Sequence, residues 1–293
     1  MLWLILTVAA APLTVARNAL QRGLIGDAGP WGATLVRFLF GLPFALVFFA
    51  IAAILTPGAD PHLSWWFVFT LVVGAISQVG ATAALLVAMH RSGFAVATFM
   101  QQSSLPFAAL LGWAAFGDRL GAWQWIGLLV ATAGLCVLSW PKSGQAKGAL
   151  TGSMLGLLSG GLYAFALNGY RQAGMALDPD HLIYSALACV GLAQMLQSIT
   201  MSAALAVWRP GTLTAVLGSW RQSLGAGFCG GAASACYFAA LALHPAGPVR
   251  AVSVLEAPIA AAAGRRLFKE RLTLRQALGG AATAVGVLAT ALG

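Results

Sequence analysis

Of the chain's 293 residues, 60% are hydrophobic and only 8% are charged, whereas a soluble domain carries roughly 25% charged residues; a water-exposed surface cannot be built from so few. The net charge of +9 is scattered over short connecting stretches and forms no basic stripe with interleaved aromatics, which argues against nucleic acid as a partner. An integral membrane protein remains.

The apolar residues fall into about ten blocks, each long enough to cross a hydrocarbon core of about 30 Å as a helix. In chain order the expected spans are 2–20, 31–55, 65–88, 93–116, 120–140, 148–170, 181–207, 220–242, 246–268 and 273–292. The first opens at Leu2 without a basic leader and meets no small-residue cleavage site before Arg17, so it is expected to be retained and not cleaved as a signal. Span two carries Arg37 near its start, shallow enough for a long side chain to snorkel to the interface. Span three contains Gln78, and span four the polar run Gln101, Gln102, Ser103, Ser104 just ahead of Pro106. A proline frees a backbone carbonyl, which neighbouring polar side chains either satisfy or leave available to a ligand.

Span six opens with Gly152, Gly156 and Gly160, one every fourth residue. That spacing lets another helix approach closely, within the chain or at a seam between two copies. Further along it come Tyr163, Asn168 and Tyr170, and span eight holds Tyr237. An aromatic with a polar tip is suited to a mixed apolar and polar metabolite, but serves equally in packing or interfacial anchoring. Anchoring is the expectation for Tyr170, near its helix end.

Glu256 is the most informative residue, about ten positions into span nine and so, at 1.5 Å per residue, near the midplane. An ionised carboxylate there costs at least about 2.5 kcal/mol, so it is expected to face a wet cavity, pair with a cation or take up a proton. The functional reading is a proton-coupling or substrate-amine site; the structural one is a carboxyl that braces the bend at Pro258. Arg250, shallower in the same span, is like Arg37 within snorkelling reach of an interface, or else placed to meet an anionic group. His90, His244 and the cysteines Cys136, Cys189, Cys229 and Cys236 show no ligand spacing, so neither metal nor any other cofactor is indicated.

A shift of 152 residues places Pro106 on Pro258, Gly112 on Gly264, Phe116 on Phe268, Arg119 on Arg271, Leu120 on Leu272, Gln124 on Gln276, Gly127 on Gly279 and Gly134 on Gly286. Ser104 falls on Glu256, and Asp118 matches Glu270 in charge. Prolines, arginines and acids are too rare here for one shared shift to follow from composition, so the chain contains an internal repeat. The halves run 1–141 and 148–293, joined by a short polar linker. Five spans per half is an odd number, so the second half must enter the membrane the other way up. Inverted repeats of this kind are a common plan of secondary transporters.

Five plus five spans, with Pro106 then Asp118-Arg119-Leu120 echoed by Pro258 then Glu270-Arg271-Leu272, and Arg37 followed by Pro43, resemble the EamA type of the drug/metabolite transporter superfamily over essentially the whole chain. The resemblance implies an all-α fold of ten transmembrane helices, a basket of two inverted five-helix repeats whose cavity is lined mainly by spans 1, 3, 4, 6, 8 and 9. Relatives export amino acids or other metabolites, and more distant ones exchange sugars linked to nucleotides or phosphates. The expected function is therefore export of a small-molecule substrate across the inner membrane. Lipid or lipid-linked sugar flipping and a non-transporting scaffold are the alternatives. An enzyme has no candidate catalytic set, since no HExxH, GxSxG or P-loop occurs.

Orientation follows from charge. The odd connections carry twelve basic residues, among them Arg22, Arg91, Arg209 and Arg221, against Arg119 and Arg171 in the even ones. Basic short loops stay cytoplasmic, so both termini are expected to face outward, whereas structurally characterised relatives have them inside.

Overall fold

The computed structural model describes residues 1–117, 121–139, 147–244, 246–253, 256–268 and 274–292. Among them it has fourteen helices and no strand. The family-like elements at 118–120 and 270–272, and most of the linker, lie outside the described residues.

After α1 (Leu2–Gly23), the second expected span divides into α2 (Ile25–Leu39) and α3 (Leu42–Leu55), with Pro43 in the first turn of α3. Proline is tolerated there because first-turn amides have no partner within the helix. α4 (Trp65–Ser92) ends at Gly93, whose φ of 90° suits a residue without a Cβ. The fourth span is also in two pieces, α5 (Phe94–Gln101) and α6 (Ser104–Phe116), separated at the polar run. Then come α7 (Ala122–Ser139), α8 (Lys147–Leu177), α9 (Leu182–Trp208), a short α10 (Pro210–Gly218), α11 (Trp220–Leu243), α12 (Ala246–Val252), α13 (Glu256–Phe268) and α14 (Leu274–Leu292).

Among the described residues, six helical stretches are long and apolar enough to cross a membrane: Leu2–Gly23, Ala28–Leu55, Trp65–Ser92, Leu150–Leu177, Leu182–Trp208 and Trp220–Leu243. They carry much apolar surface outward, Ile54, Leu55, Ile76, Ile199 and Val207 each being more than half exposed. That is the reverse of a soluble protein, and lipid is the solvent that permits it.

The described helices form two compact units, one of residues 1–79 and 166–244, the other of 80–165 and 245–293. In the first, α1 lies along α11, α9 packs against α2, α3 and α11, and α10 rests on α2. Close approach depends on glycine: a Cβ at Gly169 would sit 2.8 Å from the Thr70 carbonyl and 3.2 Å from the Gly74 nitrogen. One connection in this unit is tied down by polar contacts. Asp178, between α8 and α9, accepts hydrogen bonds from the amides of Asp60 (2.9 Å), Asp180 (3.1 Å) and His181 (3.1 Å) and lies 3.0 Å from the His181 ring.

Burial works to raise the Asp178 carboxyl, but the bonds from Asp60, His181 and Asp180 prevail and hold it below its ordinary value of 3.8. A depressed carboxylate contributes stability that is present above the unfolded value, about 3.9, and lost as pH falls through the folded one. Melting curves at pH 6 and at successive steps below pH 4 are expected to show Asp178→Asn less stable than wild type at pH 6, with the gap closing in acid. A gap independent of pH would show that the carboxylate charge is not what ties the connection.

In the second unit α7 lies along α14, α5 packs beside α13, and α12 packs beside α6 and α14. The glycine series of α8 is occupied here. A Cβ at Gly152 would meet the Ser92 Cβ at 2.7 Å, one at Gly156 the Met100 Cβ at 2.5 Å, and one at Gly160 the Ser103 hydroxyl and, at 2.9 Å, the Ser104 amide. This stripe is where α8 closes on α5 and on the start of α6, inside the chain.

Candidate functional site

The second unit places the four pieces of two interrupted helices together: α5 with α13 and α12 with α6. Where the pieces meet, the side chains are polar although the surroundings are apolar. Arg250, in α12, donates through Nε to Ser104 Oγ (2.7 Å), through Nη1 to Ser253 Oγ (2.9 Å) and through Nη2 to Gln102 Oε1 (3.2 Å). Glu256, the first residue of α13, lies with Oε1 3.6 Å from Arg250 Nη1, and its Oε2 accepts from Gln102 Nε2 at 3.5 Å. Gln101 turns to α8, donating to Ser159 Oγ at 3.5 Å, and Ser159 in turn donates to the Ala81 carbonyl at 2.7 Å. Glu256 is 1% exposed and Arg250 7%.

Burial explains the pairing. A lone charge in this setting costs several kcal/mol, and opposite charges with a full set of hydrogen bonds offset that cost. The planar guanidinium reaches the hydroxyls, the amide and the carboxylate at once, which an ammonium cannot do. Both Arg250 and Arg37 were expected to snorkel, but both are buried, Arg37 being 3% exposed with its guanidinium 5.3 Å from the centroid of the Phe38 ring. The depth estimate assumed regular helices running to the interface. Instead α12 is a seven-residue piece, and α2 bends at Gly29, whose φ is 67°.

A second polar cluster stands in the first unit. Tyr170 donates its hydroxyl to Gln78 Oε1 (2.8 Å), while Gln197 Nε2 donates to Gln78 Oε1 (2.9 Å), the Ala75 carbonyl (2.9 Å) and the Tyr170 oxygen (3.2 Å). The Tyr170 ring lies tilted against that of Phe238, with centroids 4.2 Å apart. Its expected role as an interfacial anchor is corrected: α8 runs on to Leu177, so the residue is buried within the helix and not at its end.

Residues 1–140 match the model of the EamA-like transporter family. Those residues are similar to that family over just under half of the chain. No curated protein matches it. A crystal structure of a protein 18% identical superposes with a TM-score of 0.56, covering 98% of this chain and 96% of that one, a likeness of fold alone.

Of the residues singled out in the sequence, Gln102, Ser104, Arg250 and Glu256 come together, with Gln101 next to them on the same break. Gln78 belongs to the first unit's cluster. Asn168 is buried in α8 and Tyr237 half-buried in α11, both in the first unit, and Tyr163 is half-buried in α8 within the second. Three members were not anticipated: Ser253, Ser159 and Gln197. Gln197 had a signal, an amide sixteen residues into an apolar span, but span seven is not among the family's cavity helices. The serines had none, because a serine in an apolar helix usually bonds its own backbone.

Proposed function

We propose that the chain is a secondary transporter that exports small metabolites, amino acids or compounds like them, by alternating access between two inverted five-helix repeats, 1–141 and 148–293. The observation that carries this reading is the buried Arg250–Glu256 pair between two-piece helices, 3.6 Å apart. Interrupted helices near the midplane are where transporters of this plan hold substrate. The two charges complement a zwitterion, with Arg250 taking a carboxylate and Glu256 an ammonium group, so a substrate exchanging into the pair leaves no buried charge unmatched.

The repeat is supported by contact symmetry. The pieces cross over, α5 beside α13 and α12 beside α6, as antiparallel images of one another would. Arg250 touches both Ser104 and Glu256, the two positions that the 152-residue shift makes equivalent.

The test is metabolite release from cells producing wild type, Glu256→Gln or an empty vector, at matched membrane expression. Wild type is expected to release one class of amino compound, and the variant to lose most of that release. Release by both would keep export and make Glu256 structural; release by neither would turn the reading toward uptake, lipid flipping or a scaffold.

A further inference from the structure

The first unit carries a lateral groove of about 690 Å³ walled by α2, α4 and α9, within the roughly 300–1,000 Å³ typical of ligand sites. Along α9 its lining recurs at Gln197, Met201, Leu205 and Trp208, the stripe that a 3.6-residue period places on one face. From Gln197 to Trp208 the helix climbs about 16 Å at 1.5 Å per residue, close to one leaflet of a core about 30 Å thick. The walls open outward: Ile76 is 67% exposed and Trp208 79%.

Polarity is confined to the two ends. At the inner end the Gln197 amide hydrogens go to Ala75, Gln78 and Tyr170, and the Thr200 hydroxyl donates to its own helix at 2.7 Å. No donor is left there for an anion, and the buried amide oxygen of Gln197 repels one. At the outer end the exposed Arg209 joins Trp31 and Trp208, an indole and cation pairing that belongs at the headgroup level.

An apolar trough one leaflet long, with a cation and two indoles at its mouth, has the complementary form of a phospholipid. We propose that it holds one acyl chain of an anionic phospholipid, whose headgroup phosphate sits on Arg209 between Trp31 and Trp208. The site is independent of the transport reading, since none of its residues is in the Arg250–Glu256 cluster.

The full-length protein is reconstituted with equal amounts of phosphatidylglycerol and phosphatidylcholine bearing the same acyl chains, then released into mild detergent, and the retained lipids are counted by native mass spectrometry. Wild type is expected to keep one phosphatidylglycerol, favoured roughly fivefold over phosphatidylcholine, the factor one arginine contributes at an anionic surface. Arg209→Gln, an exposed change that should not impair folding, removes the preference but keeps a lipid. Ala204→Trp, filling the groove from its outer wall, keeps neither. Equal retention of both lipids by wild type, an undiminished preference in Arg209→Gln, or wild-type retention in Ala204→Trp would each overturn the proposal. Loss of metabolite release with lipid retention intact would bear on the transport site alone.

Discussion

Arg250→Met lowers stability by about 3–5 kcal/mol, the usual consequence of removing one partner from a buried ion pair. Met keeps an unbranched apolar stem but ends two heavy atoms short of the guanidinium nitrogens, so some lost packing accompanies the electrostatic loss. The substitution removes the guanidinium from Glu256 and withdraws the donor from Ser104, Ser253 and Gln102 together. In thermal unfolding of the purified protein the melting temperature is expected to fall on the order of 10 °C. Combining it with Glu256→Gln should restore more than half, because replacing both charges by neutral groups is often close to neutral. Arg250→Lys should fall between, keeping the charge but losing the fork. A double variant no more stable than Arg250→Met would mean that the two residues are not a coupled unit.

Gly134→Ala and Gly286→Ala are expected to destabilise by similar amounts, about 1–3 kcal/mol each, the range for overpacking a closed contact. A Cβ at Gly134 would lie 2.5 Å from the Thr283 nitrogen and 2.8 Å from the Gly279 carbonyl, and one at Gly286 would strike the Ala131 nitrogen and lie 2.6 Å from the Gly127 carbonyl. Backbone atoms cannot rotate aside, so α7 and α14 would have to separate, also stretching the 3.5 Å contact from the Thr283 hydroxyl to the Ala131 carbonyl. The two environments are images under the 152-residue shift, which carries Gly134 to Gly286, Ala131 to Thr283 and Gly127 to Gly279. Equality of the two effects therefore tests the repeat itself. Gly174→Ala in α8, with nothing within 4 Å of the added carbon, serves as control and should be neutral or stabilise by about 0.5–1 kcal/mol. A large loss at one seam glycine and none at the other would argue against the symmetry.

Helices were legible because apolar runs bounded by Gly, Pro and charge have few other meanings at this composition. The interruption at Gln101–Ser104 was visible as a polar run ahead of Pro106, and the four-residue glycine series of α8 as a close contact, though not its partners Ser92, Met100 and Ser103. The pairing of Arg250 with Glu256 was harder to read. Six residues apart on one continuous helix, they would point about 120° apart around the axis; they meet because α12 ends at Val252 and α13 starts at Glu256. Gln197 shows the other limit, since a single amide in an apolar span does not reveal which distant carbonyls and hydroxyls will use it. Burial of Arg37 was hidden for a similar reason, as depth counted along a straight helix takes no account of the bend at Gly29.

The pairing of α7 with α14 also sets a schedule for synthesis. The two helices are one repeat apart, 152 residues, and at roughly 5–20 residues per second a ribosome needs about 8–30 s to make that length. For this interval α7 exists with its glycine face uncovered and no final partner made. Since α14 spans Leu274–Leu292, the second unit closes only after that helix has been made. A chain cut short anywhere before Leu274 would present an unmatched small-residue surface, a mark by which membrane quality control can tell an unfinished protein from a finished one.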